Sequence, residues 1–184
     1  RFCHEVGRQM ARLEMGRAEL VWDSRELPRE RWTAQGPCAC ELLYRSGAGL
    51  TPRPLRRIAS GGELSRVMLA AKVVLGESDA VDTLVFDEVD AGVGGATARS
   101  LARVLADLAR THQVIVVTHL AQVAVQGSVH YVVRRSDEGD MPETRLVRVE
   151  GSDRVTEVAR LLSGDASDES LAHARQLLSE AGHL

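Results

Sequence analysis

The sequence predicts an α/β fold with a parallel-sheet core, flanking helices and an antiparallel hairpin near the C-terminal end. Three observations carry this expectation. Residues 83–86 and 114–117 are short apolar runs rich in β-branched residues, without polar alternation, as strands of a parallel sheet are. Between them, residues 96–110 place Leu101, Val104, Leu105 and Leu108 on one helical face. Just before them, a run from Ser60 repeats apolar residues at helical spacing through Leu64, Val67, Met68, Ala71, Val74 and Leu75.

Composition narrows the field. The 184 residues are enough for one ordinary domain with a sizeable core. With 44% hydrophobic and 27% charged residues, the chain is globular in composition and not disordered. The longest apolar stretches are 114–117 and 67–75, the second interrupted by Lys72, so no run approaches the roughly 18 residues of a membrane span. The chain opens on Arg1 without the charged and apolar segments of a signal peptide, so none is expected. A net charge of −3 argues against a broad electrostatic footprint for DNA on this segment, and 3% aromatics are too few for a base-stacking platform. Cys3, Cys38 and Cys40 form no disulfide or zinc framework and suit a reducing cytosol. Lys72 is the one lysine, and it sits in Ala70-Ala71-Lys72-Val73. A phosphate loop of the form G-x-x-x-x-G-K-[ST] needs Gly before that lysine and Ser or Thr after it, so this chain has none.

In chain order, Phe2, Val6, Met10 and Leu13 predict an amphipathic helix over 2–13. Residues 18–22 read as a strand. The polar stretch 23–37, with Pro28, Gly36 and Pro37, reads as a long loop. Residues 38–45 form another strand, and 47–54 a connection holding two Gly and two Pro. Ser60 at N-cap with Glu63 three residues on makes a capping box for the next helix. After the strand–helix–strand unit, 120–125 reads as a short helix. Residues 129–135 and 144–149 flank Asp137-Glu138-Gly139-Asp140 as a hairpin, and two helices over 155–162 and 170–178 finish the chain.

Three places carry chemistry. Ser60-Gly61-Gly62-Glu63 opens a helix, where free N–H groups and a partial positive charge suit phosphate, and two glycines let an anion approach the backbone. A plain capped helix is the competing explanation. Val85-Phe86-Asp87-Glu88 ends an apolar strand on two carboxylates, at the edge where α/β folds bind ligands. Asp87 suits Mg²⁺ held through its water shell, and Glu88 suits polarisation of an attacking water; two solvated acids at a strand end are the alternative. His119 directly follows the second apolar strand, at the matching edge; taken alone it is a loop histidine. The order Ser60, Asp87, His119, each at the matching end of its element and with one helix in each gap, is more specific than any of the three.

These residues resemble the C-terminal half of an ABC-type ATPase head. Ser60 to Glu63 match the signature motif, 83–88 match Walker B with its glutamate, and His119 matches the switch histidine. Within that superfamily, Ala59-Ser60-Gly61-Gly62-Glu63-Leu64-Ser65-Arg66, Phe86-Asp87-Glu88-Val89-Asp90-Ala91-Gly92-Val93-Gly94-Gly95, Val117-Thr118-His119-Leu120-Ala121-Gln122-Val123-Ala124 and Val158-Ala159-Arg160-Leu161-Leu162-Ser163-Gly164 resemble the RecN type of bacterial DNA repair ATPase, a relative of the chromosome-maintenance (SMC) ATPases. The resemblance runs from about Leu55 onward and is thin before Pro54.

The resemblance implies a C-terminal lobe over 17–184, with 1–16 as a helix where a coiled coil re-enters the head, and the Walker A lobe outside this chain. In such ATPases two heads sandwich two ATP molecules. Ser60, Gly61 and Gly62, with Glu63 beside them, would bind the γ-phosphate of the nucleotide on the facing head. Asp87 would hold Mg²⁺ through water, Glu88 would activate water and His119 would sense the γ-phosphate. The implied partners are the N-terminal lobe of the same protein, a second head in a homodimer, and DNA in the full-length protein, in the bacterial cytosol at the nucleoid and without a membrane. The lobe alone is expected to be inactive. Two positions depart from transporter heads: Ala59 stands where Leu is common, and Gly94 where the loop after Walker B often ends in Asp. Gly94 therefore stays outside the catalytic set, and Asp90 is either a contact to the facing head or a turn former. A transporter-type ATPase subunit and a non-catalytic dimerisation lobe are the alternatives. The Asp87–Glu88 pair and His119 weigh against the second.

Overall fold

A computed structural model describes residues 1–58, 60–78, 80–136 and 143–183. The chain divides into two compact units: Arg1–Val93 with Asp107–Val117, and Gly94–Ala106 with Thr118–Leu184. Among the described residues no helix is long and apolar enough to cross a membrane.

The first unit opens with α1 (Phe2–Arg12), which buries Val6 and Met10 one helical turn apart. α1 packs against β1 (Glu19–Glu26) and against α2 (Gly61–Leu75). β1 pairs antiparallel with β2 (Cys38–Arg45), from Glu19↔Arg45 to Glu26↔Cys38, and β2 carries the two-residue β3 (Arg53–Pro54) on its other edge. The loop expected over 23–37 is therefore shorter. Asp23, Ser24, Arg25 and Glu26 continue the strand, and a single 3-10 turn at Arg29–Arg31 fills part of the remainder. Those four side chains are exposed or half-buried, so the ladder of backbone hydrogen bonds, and not an apolar face, keeps them extended.

α2 starts where the capping pattern places it. Ser60 has extended backbone, and its Oγ accepts a hydrogen bond from the Glu63 N–H at 3.3 Å. β4 (Thr83–Phe86) and β5 (Gln113–Val116) pair in parallel, with Leu84 beside Val114 and Val85 beside Ile115. Their connection holds α3 (Gly95–Leu108), whose Ala98, Leu101, Ala102, Val104, Leu105 and Leu108 are all buried. The parallel pairing is as expected, but the burial is not. Leu84 and Phe86 are buried, whereas Val85 is 65% exposed, Ile115 47% and Val117 58%. Beyond the polar Thr83–Gln113 pair, one face of this two-stranded layer is bare hydrocarbon.

The second unit has its own core. α4 (Ala121–Ala124), α5 (Gly151–Ser163) and α6 (Asp168–Glu180) enclose Ala121, Val125, Val155, Val158, Ala159, Ala174 and Leu178. The buried Arg154 on α5 donates through Nη2 to the carbonyls of Ala124, Val125 and Gly127 at 3.4, 3.3 and 2.6 Å, so one guanidinium caps the C-terminal end of α4. Gly164 ends α5 in the left-handed conformation with its N–H on Arg160 O, and Ser167 caps α6. β6 (His130–Ser136) and β7 (Glu143–Val149) pair antiparallel as expected. The turn residues 137–140 lie outside the described residues.

Candidate functional site

The first unit brings two of the three predicted places together. Ser60 and Gly61 are exposed at the tip of α2, and Asp87 and Glu88 are exposed just past β4. Gly61 lies directly against the Glu88 carboxylate; a Cβ there would overlap Glu88 Oε2. Gly62 is buried on the backbone that follows. A Cβ at Gly62 would lie 2.9 Å from Ala91 Cβ and 3.1 Å from Glu88 O, so only glycine lets α2 approach so closely. The glycine pair therefore serves helix–loop packing. The resemblance assigns the helix tip and Glu88 to different nucleotides, whereas here they are neighbours in one chain. The Glu88 carboxylate stands where the partial positive charge of α2 attracts an anion.

The loop after β4 is tightly fixed. Asp87 Oδ1 accepts from the Glu88 N–H at 2.9 Å, and Glu88 O accepts from the Ala91 N–H at 3.0 Å. Glu88 itself has φ 55°, a left-handed conformation that is unusual for glutamate. Val89 and Asp90 are buried beneath it. The backbone carbonyl of Asp90 closes a turn with the Val93 N–H at 3.0 Å. Two residues within the signature stretch, to which sequence reasoning gave no role, hold this loop from α2. Ser65 Oγ donates to Asp87 O at 2.9 Å. Arg66 Nη1 donates to Val89 O at 3.3 Å and to Ala91 O at 2.9 Å.

His119 belongs to the second unit. It is exposed within a turn in which Thr118 Oγ1 accepts from the Leu120 N–H at 3.0 Å, leading into α4. In sequence it follows the C-terminal end of β5, as Asp87 follows that of β4.

Glu63 faces a cavity of about 410 Å³ beside the α2 tip, lined also by Tyr44, Leu50, Arg53, Arg57 and Ile58. Burial first, and then the charge of Glu63, hold the Tyr44 hydroxyl above its ordinary value, while Arg66 pulls the other way. Tyr44 is thus a neutral hydrogen-bonding group at neutral pH. On the other side of α2, a depression of about 300 Å³ is lined by Leu64, Ser65, Met68 and Lys72 with Leu84, Val85 and Phe86 of β4.

Among the described residues no cluster of three His, Cys, Asp or Glu side chains could hold a metal alone. A lone strand-end carboxylate suits a Mg²⁺ held mostly by phosphate oxygens and water.

No family model matches the chain. Among solved structures, the SMC head domain with coiled coil and joint from Pyrococcus yayanosii superposes with a TM-score of 0.57 at 20% identity, over 98% of this chain and 29% of that one. The fold is therefore that of an SMC head domain. Two curated relatives carry the assignment further. The DNA repair protein RecN of Treponema pallidum is 43% identical over 176 residues, covering 95% of this chain and 30% of its own length. The DNA repair protein RecN of Mycobacterium leprae is 53% identical over 149 residues, covering 80% of this chain and 25% of its own. The chain belongs to the RecN family and corresponds to a C-terminal portion of it, spanning about 30% or less of the length of these relatives.

Proposed function

We propose that this chain is the C-terminal half of an SMC-like ATPase head that acts in DNA double-strand-break repair and completes a composite ATP site when two heads meet. One observation supports this most directly: the glycine-bearing tip of α2 and the strand-end Asp87–Glu88 pair are both exposed in the first unit. An exposed helix tip with free N–H groups suits a phosphate, and an exposed strand-end carboxylate pair suits Mg²⁺ and an attacking water, each on a different nucleotide of the head pair. The bare face of β4 and β5 supports the rest. Parallel strands are stable when covered on both faces, and Val85, Ile115 and Val117 give an N-terminal lobe with a phosphate loop an apolar seat.

In this reading Ser60, Gly61 and Gly62, with Glu63 beside them, bind the γ-phosphate of the nucleotide on the facing head, and an arriving phosphate displaces the Glu88 carboxylate from the helix tip. Asp87 would hold Mg²⁺ through water, and the ion would supply positive charge against the phosphates. Glu88 orients the attacking water and takes its proton. His119 donates a hydrogen bond to the γ-phosphate. The N-terminal lobe, a second head and DNA are the partners, in the bacterial cytosol at the nucleoid. This chain alone neither hydrolyses ATP nor binds it tightly.

Glu88→Gln in the full-length protein tests the assignment. ATP turnover should fall by roughly 100-fold or more, as loss of a general base does, while the ATP-bound head dimer persists longer on size-exclusion chromatography. Turnover at the parental rate would remove Glu88 from the catalytic role.

A further inference from the structure

We infer that Arg66, assisted by Ser65, is the positioning residue that sets the Glu88 carboxylate in its working place. The inference rests on the reading of Glu88 as the water-activating base. Glu88 sits in a backbone conformation that a side-chain-bearing residue adopts only when its surroundings impose it. The local turn supplies part of that constraint through Ala91 N–H to Glu88 O. The remainder comes from α2. Ser65 Oγ holds the carbonyl of Asp87, just before Glu88. One guanidinium nitrogen of Arg66 holds the carbonyls of Val89 and Ala91, just after it. The residue that carries the carboxylate is thus pinned on both sides by consecutive side chains of a single helix.

Those bonds have the character that positioning requires. Arg66 stays charged at any pH of interest, and a charged donor to a carbonyl is stronger than a neutral one. Both its acceptors are backbone atoms, so Arg66 constrains the course of the chain. The same helix bears Ser60, Gly61 and Gly62 at its tip, one turn before Ser65. A shift of the tip on phosphate arrival therefore reaches Glu88 through the Ser65 and Arg66 bonds. Binding at the tip and orientation of the base become one mechanical event.

The test uses the full-length protein. Arg66→Gln should lower kcat for ATP hydrolysis by roughly 10- to 100-fold, the loss expected from misplacing a catalytic group by about an ångström, with KM for ATP within about threefold of the parent. Arg66→Lys, which keeps a charged donor, should recover most of that loss. Ser65→Ala removes one bond of the three and keeps the helix intact, so it remains informative if Arg66→Gln fails to fold; it should lower kcat by roughly 3- to 10-fold. In a Glu88→Gln background Arg66→Gln should cause no further fall in the remaining rate. Parental kcat in folded Arg66→Gln or in Ser65→Ala would overturn the inference. So would a loss of equal size with and without Glu88, which marks a general structural defect. A Glu88→Gln protein that hydrolyses ATP normally would instead remove the base assignment on which the inference rests.

Discussion

The α4–α6 bundle and the β4–β5 layer solve the burial problem in opposite ways. In the bundle, Val155, Val158, Ala174 and Leu178 meet inside one unit, and the open end of α4 is closed by Arg154. In the layer, Leu84 and Phe86 are buried while Val85, Ile115 and Val117 face outward. A two-stranded parallel sheet has too little cover to stand on its own. The bundle buries its apolar residues within one unit, and the layer that leads to Asp87 and Glu88 leaves Val85, Ile115 and Val117 uncovered. The candidate site residues Asp87 and Glu88 thus follow the less covered of the two regions.

Three substitutions sharpen or break that contrast. Leu178→Ala empties the centre of the bundle and should cost about 3 kcal/mol, read as a lower denaturant midpoint and faster amide exchange in α5 and α6. A cost under about 0.5 kcal/mol would show that the bundle is not self-sufficient. His130→Gln should have a smaller, pH-dependent effect. Burial first, and then Arg154, lower the His130 pKa from its ordinary value of 6.5, while Glu157 opposes them. The unfolded chain therefore takes up a proton at His130 before the folded one does. The stability of the second unit should be full above pH 6.5 and decline below it, and His130→Gln should flatten that decline in circular-dichroism melts between about pH 7.5 and about 5.5. The smallest effect belongs to the layer. Val85→Thr should change the stability of this chain by less than about 0.5 kcal/mol, because the side chain is already in water. In the full-length protein the same change should cost about 1 kcal/mol or more, since it places a hydroxyl in a covered seat. Equal costs in both settings would mean that nothing sits on this face.

Much of this was legible in the residues. α2, β4, α3 and β5 announce themselves through capping, apolar runs and helical spacing, which survive without tertiary context. The continuation of β1 through Asp23 to Glu26 was hidden because neither face is buried there, so no two-residue alternation marks it. The open face of β4 was hidden for the converse reason: an apolar β-branched run reads as buried, and Val85 is exposed. Ser65 and Arg66 resemble solvated helix residues, and their partners are backbone carbonyls, which have no sequence signature of their own. The close approach of Gly62 to Ala91 was signalled by the glycine, but the signal did not distinguish a ligand from a neighbouring loop. The division into two units begins at the glycine cluster from Gly92 to Gly95, yet no change of composition accompanies it.

Lys72, the one lysine of this sequence, borders the depression between α2 and β4, beside the bare valine face. The other 22 basic side chains are arginines, which amine-directed reagents leave alone at neutral pH. An acylating fluorophore or a short crosslinker would thus reach a single side-chain address in this region. Its protection or reactivity in the longer polypeptide would report, at one atom, whether anything comes to rest against the sheet.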